Sequence, residues 1–396
     1  MNSTTTALDL PSDGPSVVLD LDGLYVEFEK LTDKRKARGK RYGLALVLLL
    51  FVLAKLCGQD CPFGAAQWLA ERASRLISML DLSCQRLPSH NTLRRVLEGA
   101  VHLRQLQKAV RRFLCQRPAY GQSIVVAMDG KTLRGSFTER GRAVQLLAAY
   151  VPKEGVVLMQ VAVAQGENEL SAAPRLLRCL DLRGKVLVAD ALFTQRELSI
   201  QVVEGGGDYI WLAKDNQSQM HEAIEQLFVP PTRSPGWGIP PNDFETATMQ
   251  DKGHGRLEER ILTSSELLND YLDWPHVAQV FKLERRRTQL KEGTQHTEIV
   301  YGLTSLKRQK ASAARLLSWV RDYWDIENGL FYRRDATLHE DAMRMTHATL
   351  AQAIAILNNL TIGLILQEGW RYLPEARRYY DAHPQTALAL LLRPPG

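Results

Sequence analysis

The sequence predicts a mixed α/β protein, a sheet with helices on both faces and a β-rich insertion, preceded by an all-helical N-terminal domain. Three observations carry this. From Leu24 to Gln116 apolar residues recur at helical spacing. At the turn-rich stretch RPAYGQ (Arg117–Gln122) the periodicity changes, and three β-rich runs follow: SIVVAMDG, AVQLLAAYV and VVLMQVAVAQ. Beyond them helical and strand segments alternate, the pattern of a sheet covered by helices.

Residues 1–18 are polar and rich in turn formers, so a flexible tail is expected. The helical domain spans 19–117. YGLALVLLLFVLAKL is its central helix, FGAAQWLAERASRLISML a second, and LPSHNTLRRVLEGAV a third with Ser89 or Asn91 as N-cap. Arg94 and Arg95 fit a helix laid along DNA and a solvated bundle face equally well. The run LALVLLLFVLA (Leu44–Ala54), preceded by KRKARGKR, imitates a signal peptide or a membrane span. It is shorter than the ~18–20 residues a bilayer needs and begins too far along the chain for a secretory leader. A buried core helix is expected, and no membrane partner.

The second domain spans 118–368. After the three strands come a helix in NELSAAPRLLRCLDL, the strand KVLVAD, a helix in TQRELSIQVVE and the strand DYIWLAKDNQ. The β-rich insertion covers about 230–305, with a hairpin turning at Gly253–Gly255, the alternating run VAQVFKLERRRTQ, and TEIVYGLTSL returning to the main sheet. ASAARLLSWVRDYWDIENGLFYRRD reads as one long helix, ATLAQAIAILNNLTIGLILQ as an apolar one, and 369–396 as a helical tail.

The 396 residues are 45% apolar and 24% charged, ordinary for a soluble protein with two or three cores. A formal charge of +6 fits a polyanionic partner, and the basic islands KLTDKRKARGKRY and ERRRTQLK concentrate it. Five scattered cysteines argue against a disulfide framework and for a reducing, cytoplasmic setting. Cys57 and Cys61 lack a second ligand pair at zinc spacing and read as core thiols. No G-x-x-x-x-G-K-[ST] or G-x-G-x-x-G follows a strand, which argues against nucleotide-binding α/β enzymes.

Asp129 ends the first apolar strand and Asp190 the fourth. A carboxylate there costs desolvation unless a metal or a basic side chain compensates it. Hard oxygen ligands on one sheet edge suit Mg²⁺ or Mn²⁺, provided a third acid arrives. Asp325, Glu327, Asp335, Glu340 and Asp341 are the candidates. Glu327 is chosen because Trp324, Leu330 and Phe331, at i−3, i+3 and i+4, mark its face as apolar. On residues alone, a carboxylate metal site and unrelated surface or capping acids both remain open.

MDGKTLRGS, VADALFTQ, LAKDNQ, DKGHGRLEER and YWDIENGLFYRRDATLHEDAMR occur in that order. Together they resemble the transposases of the H-repeat-associated, IS-As type of bacterial insertion sequence, within the DDE superfamily that has a ribonuclease-H-like core. The resemblance runs from about Leu24 to Gly363. It implies that Asp129, Asp190 and Glu327 are the catalytic triad and hold two Mg²⁺ (or Mn²⁺) ions. It implies cutting of transposon ends and joining to target DNA by phosphodiester transfer, with double-stranded DNA as partner and a homodimer when two ends are paired. It places the protein with the bacterial nucleoid. The separation of 137 positions from Asp190 to Glu327 agrees with an insertion, which in relatives helps to hold the transposon end.

Many superfamily members carry tyrosine, arginine and lysine at fixed spacing around the third acid. Here those positions are Val320, Tyr323 and Arg334, so only Arg334 keeps the expected charge for gripping phosphate, with Arg321 as a substitute for the missing arginine. Glu340 and Asp341 match an acidic pair that supports the site. Lys131 and Arg134 fit a hold on backbone phosphate or a salt bridge to Asp129 or its neighbours. Lys214, Asn216 and Gln217 are expected to touch DNA, as are His254 at a hairpin tip and Arg256 beside it, with Arg260 on the same strand. Trp237 and Trp274 fit base stacking less well than packing. Asn168 and Glu169 in ENEL also match, although an N-cap accounts for Asn168. The same triad serves a metal-dependent nuclease without strand transfer, whereas the presence of all three acids speaks against a catalytically silent DNA-binding regulator.

Overall fold

The computed structural model describes residues 22–117, 120–121, 123–137, 141, 143–229, 243–253 and 255–393. They form two compact units, one from the described residues of Met1–Phe113 with those of Pro374–Gly396, the other from Leu114–Leu373.

The first unit is helical: α1 (Leu24–Glu29), α2 (Leu44–Leu56), α3 (Pro62–Glu71), α4 (Ala73–Met79), α5 (His90–Arg95) and α6 (Leu103–Cys115). An apolar run with no polar face can only be a core element, and α2 is buried along nearly its whole length. The run FGAAQWLAERASRLISML (Phe63–Leu80), expected as one helix, breaks at Arg72. The Arg72 guanidinium lies 4.6 Å from the Trp68 ring centre and 3.3 Å from Asp381. Ser89 precedes α5, but its hydroxyl pairs with Thr92 rather than capping the backbone. The C-terminal helices Leu373–Ala382 and Pro384–Leu392 are not a separate tail. Leu388, Leu390 and Leu391 are buried, and Arg377 donates to the Lys55 carbonyl (3.1 Å) and to Asp60 (2.5 Å). Sequence reading placed them apart because their partner, α2, lies more than 300 residues away in the chain.

The second unit is built on one nine-stranded sheet of order β3-β2-β1-β4-β5-β9-β8-β7-β6. β1 (Val125–Leu133), β2 (Val144–Val151) and β3 (Val156–Ala162) form an antiparallel meander. After helix α7 (Glu169–Leu177), β4 (Val186–Ala189) runs parallel to β1; after α8 (Arg196–Glu204), β5 (Asp208–Ala213) runs parallel to β4. This is the mixed, helix-flanked sheet expected of a ribonuclease-H-like core. Helix α9 (Ser218–Leu227) leads into β6 (Glu245–Gly253), β7 (Arg256–Ser265), β8 (Gln279–Gln289) and β9 (Gln295–Thr304), and β9 pairs with β5. The insertion therefore extends the main sheet.

Where one long helix was expected, α10 (Ala313–Tyr323) gives way to wide π-helical turns at Ile326–Phe331 and Arg333–Thr337. Gly329 in the first of these faces the Tyr150 hydroxyl, which would lie 3.3 Å from a Cβ there. Helix α11 (Ala348–Gln367) is long and apolar enough to cross a membrane by composition, yet 83% of its most apolar window is buried inside the protein.

Candidate active site

Strand pairing brings the two aspartates together. Met128 of β1 lies opposite Ala189 of β4 in a parallel register, so the next residues, Asp129 and Asp190, emerge side by side at the carboxyl end of the pair. Beyond it Asp129 still pairs with Ala148 of β2, while Asp190 caps a short helical turn. The Asp129 carboxylate accepts the Gly130 N–H at 2.8 Å, and the Asp190 carboxylate accepts the Leu192 N–H at 3.1 Å.

Burial pushes the Asp129 carboxyl up to about 7, and the charges of Asp190, Glu327 and Glu169 add to the rise. Asp190 is also raised by burial, against the pull of the Leu192 N–H and the Lys214 ammonium. Burial and then the Asp190 charge raise Glu169. Glu327 thus lies within electrostatic reach of the aspartates, though not as expected. It sits in the first π-helical turn and is exposed, because a wide turn does not keep the i+3 and i+4 spacing that marked its face as apolar. Tyr323 comes one turn earlier. Burial pushes its phenol up, followed by the charges of Asp129, Asp190 and Glu327.

Two of these groups were not assigned to the site from the sequence. Tyr323 was read only as a departure from a family pattern. Glu169, in ENEL, was masked by a local explanation that is itself correct: Asn168 caps α7, accepting the Ser171 N–H at 2.9 Å, while the Ser171 hydroxyl accepts the Asn168 N–H at 3.0 Å.

The basic residues expected at the site divide sharply. Lys131, 7% exposed in its side chain, pairs with Asp335 at 2.6 Å and approaches Asp341 at 3.9 Å, leaving Asp129 alone. Arg334 does not reach phosphate. Its side chain is fully buried, with Nε 3.1 Å from both Glu340 oxygens and Nη2 2.6 Å from one, and Asn358 donates to the same carboxylate at 2.5 Å. Glu340 is correspondingly committed to Arg334 and does not back the aspartates. Asn216 donates to the Ala191 carbonyl (2.6 Å) and Gln217 to that of Thr194 (3.2 Å), so both amides tie the end of β5 to the turn after Asp190 instead of projecting freely.

Others stay accessible. Arg134 is 84% exposed at the end of β1, 3.9 Å from Asp341, and Lys214 is exposed beside Asp190. Arg256 pairs with Glu258 at 2.8 Å. Arg321 reaches from α10 to Asp251 of β6 at 3.2 Å, and Asp251 also binds Arg260 at 2.8 Å. Arg285 of β8 lies 4.5 Å from the Trp324 ring centre. The insertion is thereby fastened to α10 and its C-cap Trp324, just ahead of the turn that carries Glu327. Trp274 is packed inside, donating to the Ser199 hydroxyl at 3.2 Å. His254 and Trp237 lie outside the described residues.

No hydrogen-bonded or ion-paired cation meets Asp129, Asp190, Glu327 or Glu169 among the described residues. As they stand, no three His, Cys, Asp or Glu side chains there are gathered tightly enough to hold an ion. Four like charges on a partly dry edge repel one another. The donor set is all oxygen, the chemistry that hard divalent cations take.

A family model described as "Transposase DDE domain" matches residues 120–362. The chain belongs to the DDE transposase family. A second model, "DDE_Tnp_1-associated", matches residues 26–114. The transposase is 23% identical over 358 residues to the H repeat-associated putative transposase YhhI of Escherichia coli K12, covering 88% of this chain and 92% of that protein. It is equally similar to the putative protein YbfL of the same strain, with 23% identity and the same coverage. It is 30% identical to an uncharacterized protein in the dhlA 3′ region of Xanthobacter autotrophicus, over 66% of this chain and 87% of that one. Among solved structures, a piggyBac transposase in synaptic complex with hairpin DNA aligns over 94% of this chain and 80% of that one, at 10% identity and a TM-score of 0.46.

Proposed function

We propose that the protein is the transposase of an insertion sequence, cutting transposon ends and joining them to target DNA by metal-dependent phosphodiester transfer, with Asp129, Asp190 and Glu327 as the metal-holding triad. The observation that carries this reading is the set of carboxylates at the end of β1 and β4 that has no ion pair, in a chain whose family is defined by such acids. Mg²⁺ or Mn²⁺ bound there supplies Lewis-acid stabilisation of the attacking and leaving oxygens.

The chain's own residues prepare that edge. Asn216 and Gln217 fix the turn that aims Asp190 by holding the Ala191 and Thr194 carbonyls. Lys131 stays bound to Asp335, so it does not compete as a counter-charge. Arg134, exposed just past the end of β1, and Lys214, exposed beside Asp190, are the cations left to meet backbone phosphate under this reading. The exposed Lys34, Lys36, Arg38 and Arg41 of the helical unit suit a duplex, and pairing two ends calls for two copies of the chain.

The test is to incubate the protein with end-bearing DNA, a target plasmid and Mg²⁺. Joined products support the reading, and fragments without joints make the protein a nuclease. Asp129→Asn is expected to bind end DNA and neither cut nor join it; cutting at the wild-type rate contradicts the assignment.

A further inference from the structure

Gly130 follows the first aspartate, and nothing in its own backbone explains the glycine, because its φ lies outside the left-handed region. What a side chain at this position would meet is Glu169. A Cβ on residue 130 would stand 1.9 Å from Glu169 Oε1, 2.1 Å from Cδ and 2.6 Å from Oε2. No real Cβ approaches atoms so closely, so the whole carboxyl group lies flat against the glycine. The glycine is the seat of that carboxylate, one residue from Asp129.

Glu169 is the first residue of α7, directly after the Asn168 cap. The helix start therefore fixes where its stem begins, and Gly130 fixes where its head ends. A glutamate in a first turn usually points to water and interacts with the helix dipole. This one is turned onto the sheet edge, and among the described residues it has no hydrogen-bond donor or cation. A neutral glutamine there would fill the same space, so packing alone does not call for the charge.

We infer that Glu169 is a fourth acidic residue of the metal-holding edge, sharing with Asp129 and Asp190 the retention of a divalent cation. This rests on the metal-dependent reading above. It goes beyond the triad by giving α7 and Gly130 a part in the site.

Mn²⁺ titration of the full-length protein without DNA, followed by the electron paramagnetic resonance of the free ion, reads this directly. Glu169→Gln is expected to weaken Mn²⁺ binding about 10–100-fold or to remove one of the bound ions, with Glu169→Asp between it and wild type. Gly130→Ala, whose methyl occupies the carboxylate's place, is expected to match Glu169→Gln. Asn168→Ala separates direct from structural roles: it loosens α7 and lowers the melting temperature but should leave Mn²⁺ affinity near wild type. If Glu169→Gln and Gly130→Ala bind Mn²⁺ like wild type while Asp129→Asn does not, the role of Glu169 is refuted and the triad stands. An Asn168→Ala loss as large as that of Glu169→Gln also refutes it. If wild type and Asp129→Asn bind alike, the metal reading falls and this inference with it.

Discussion

Two groups of acidic residues lie within one unit of this protein and are partnered in opposite ways. Asp335, in the second π-helical turn, and Glu340 and Asp341 after it are met from inside the fold: Lys131 pairs with Asp335 and Arg334 with Glu340, while Asp341 accepts the Arg134 N–H at 3.0 Å and has the Lys131 and Arg134 cations 3.9 Å away. Asp129, Asp190, Glu327 and Glu169 receive at most backbone N–H donors. The chemistry of the side chains is the same in both groups; only the counter-charge differs. Acids that a fold wants for stability are matched with cations when the chain folds. Acids left without one at a sheet edge raise one another's affinity for protons, and under the proposed function the same field attracts a divalent cation.

The contrast can be broken most severely at the unmatched group. Asp190→Asn is expected to lower DNA cleavage by more than about 100-fold, beyond the effect of a merely supporting residue, with end binding retained in a mobility-shift assay. Asp335→Asn, in the matched group, should leave cleavage far closer to wild type. If the two variants lose equal activity, the division between the groups is wrong.

The next effect is on stability. Arg334→Ala leaves the Glu340 carboxylate buried without its cation and is expected to cost about 3–5 kcal/mol, measured by urea unfolding. Arg334→Met with Glu340→Leu, which removes both charges, should recover much of that loss. A phosphate-gripping arginine would instead show weaker DNA binding at unchanged stability.

A smaller change of opposite sign is expected at Asp129. Its carboxyl sits at about 7 in the fold against an ordinary value of 3.8, so the folded state holds the proton more tightly than the unfolded chain. Below about pH 3 both states are protonated and the group is neutral in effect. As pH rises towards 7 the unfolded chain ionises first, and the folded state is progressively disfavoured. In chelator, Asp129→Asn should therefore stabilise the protein at pH 8, by an amount that shrinks as the pH falls and vanishes below about pH 3. Equal stabilisation at both values would mean that charge is not the cause. Smallest of all, Arg134→Ala should weaken DNA binding uniformly across sequences and reduce its salt dependence by about one phosphate contact.

How much of this was legible in the sequence follows from the range of the interactions. Asp129 and Asp190 could be found because each interrupts an apolar run at its end, a local signal. The alternation of elements gave the mixed sheet, and β9 did return to it. The nearness of Glu327 to the aspartates was legible, but its burial was misjudged because the inference assumed 3.6 residues per turn through Ile326–Phe331, where the backbone is wider. Arg334 failed for the same reason: a charge kept at the expected spacing points elsewhere in a π-helical turn, here into Glu340. The partner of Lys131 is 204 residues away at Asp335, and no spacing rule reaches that far. Glu169 was hidden by the N-cap beside it. Its second role shows only when the carboxyl is seen resting on Gly130.

The claim on which the rest depends is that the unmatched acids, and not the matched ones, collect the divalent cation. Anomalous scattering from crystals of the full-length protein grown or soaked with Mn²⁺ measures this directly. The account predicts manganese peaks bounded by Asp129, Asp190 and Glu327. Peaks at Asp335 and Asp341, or none between the two aspartates at saturating Mn²⁺, would contradict it.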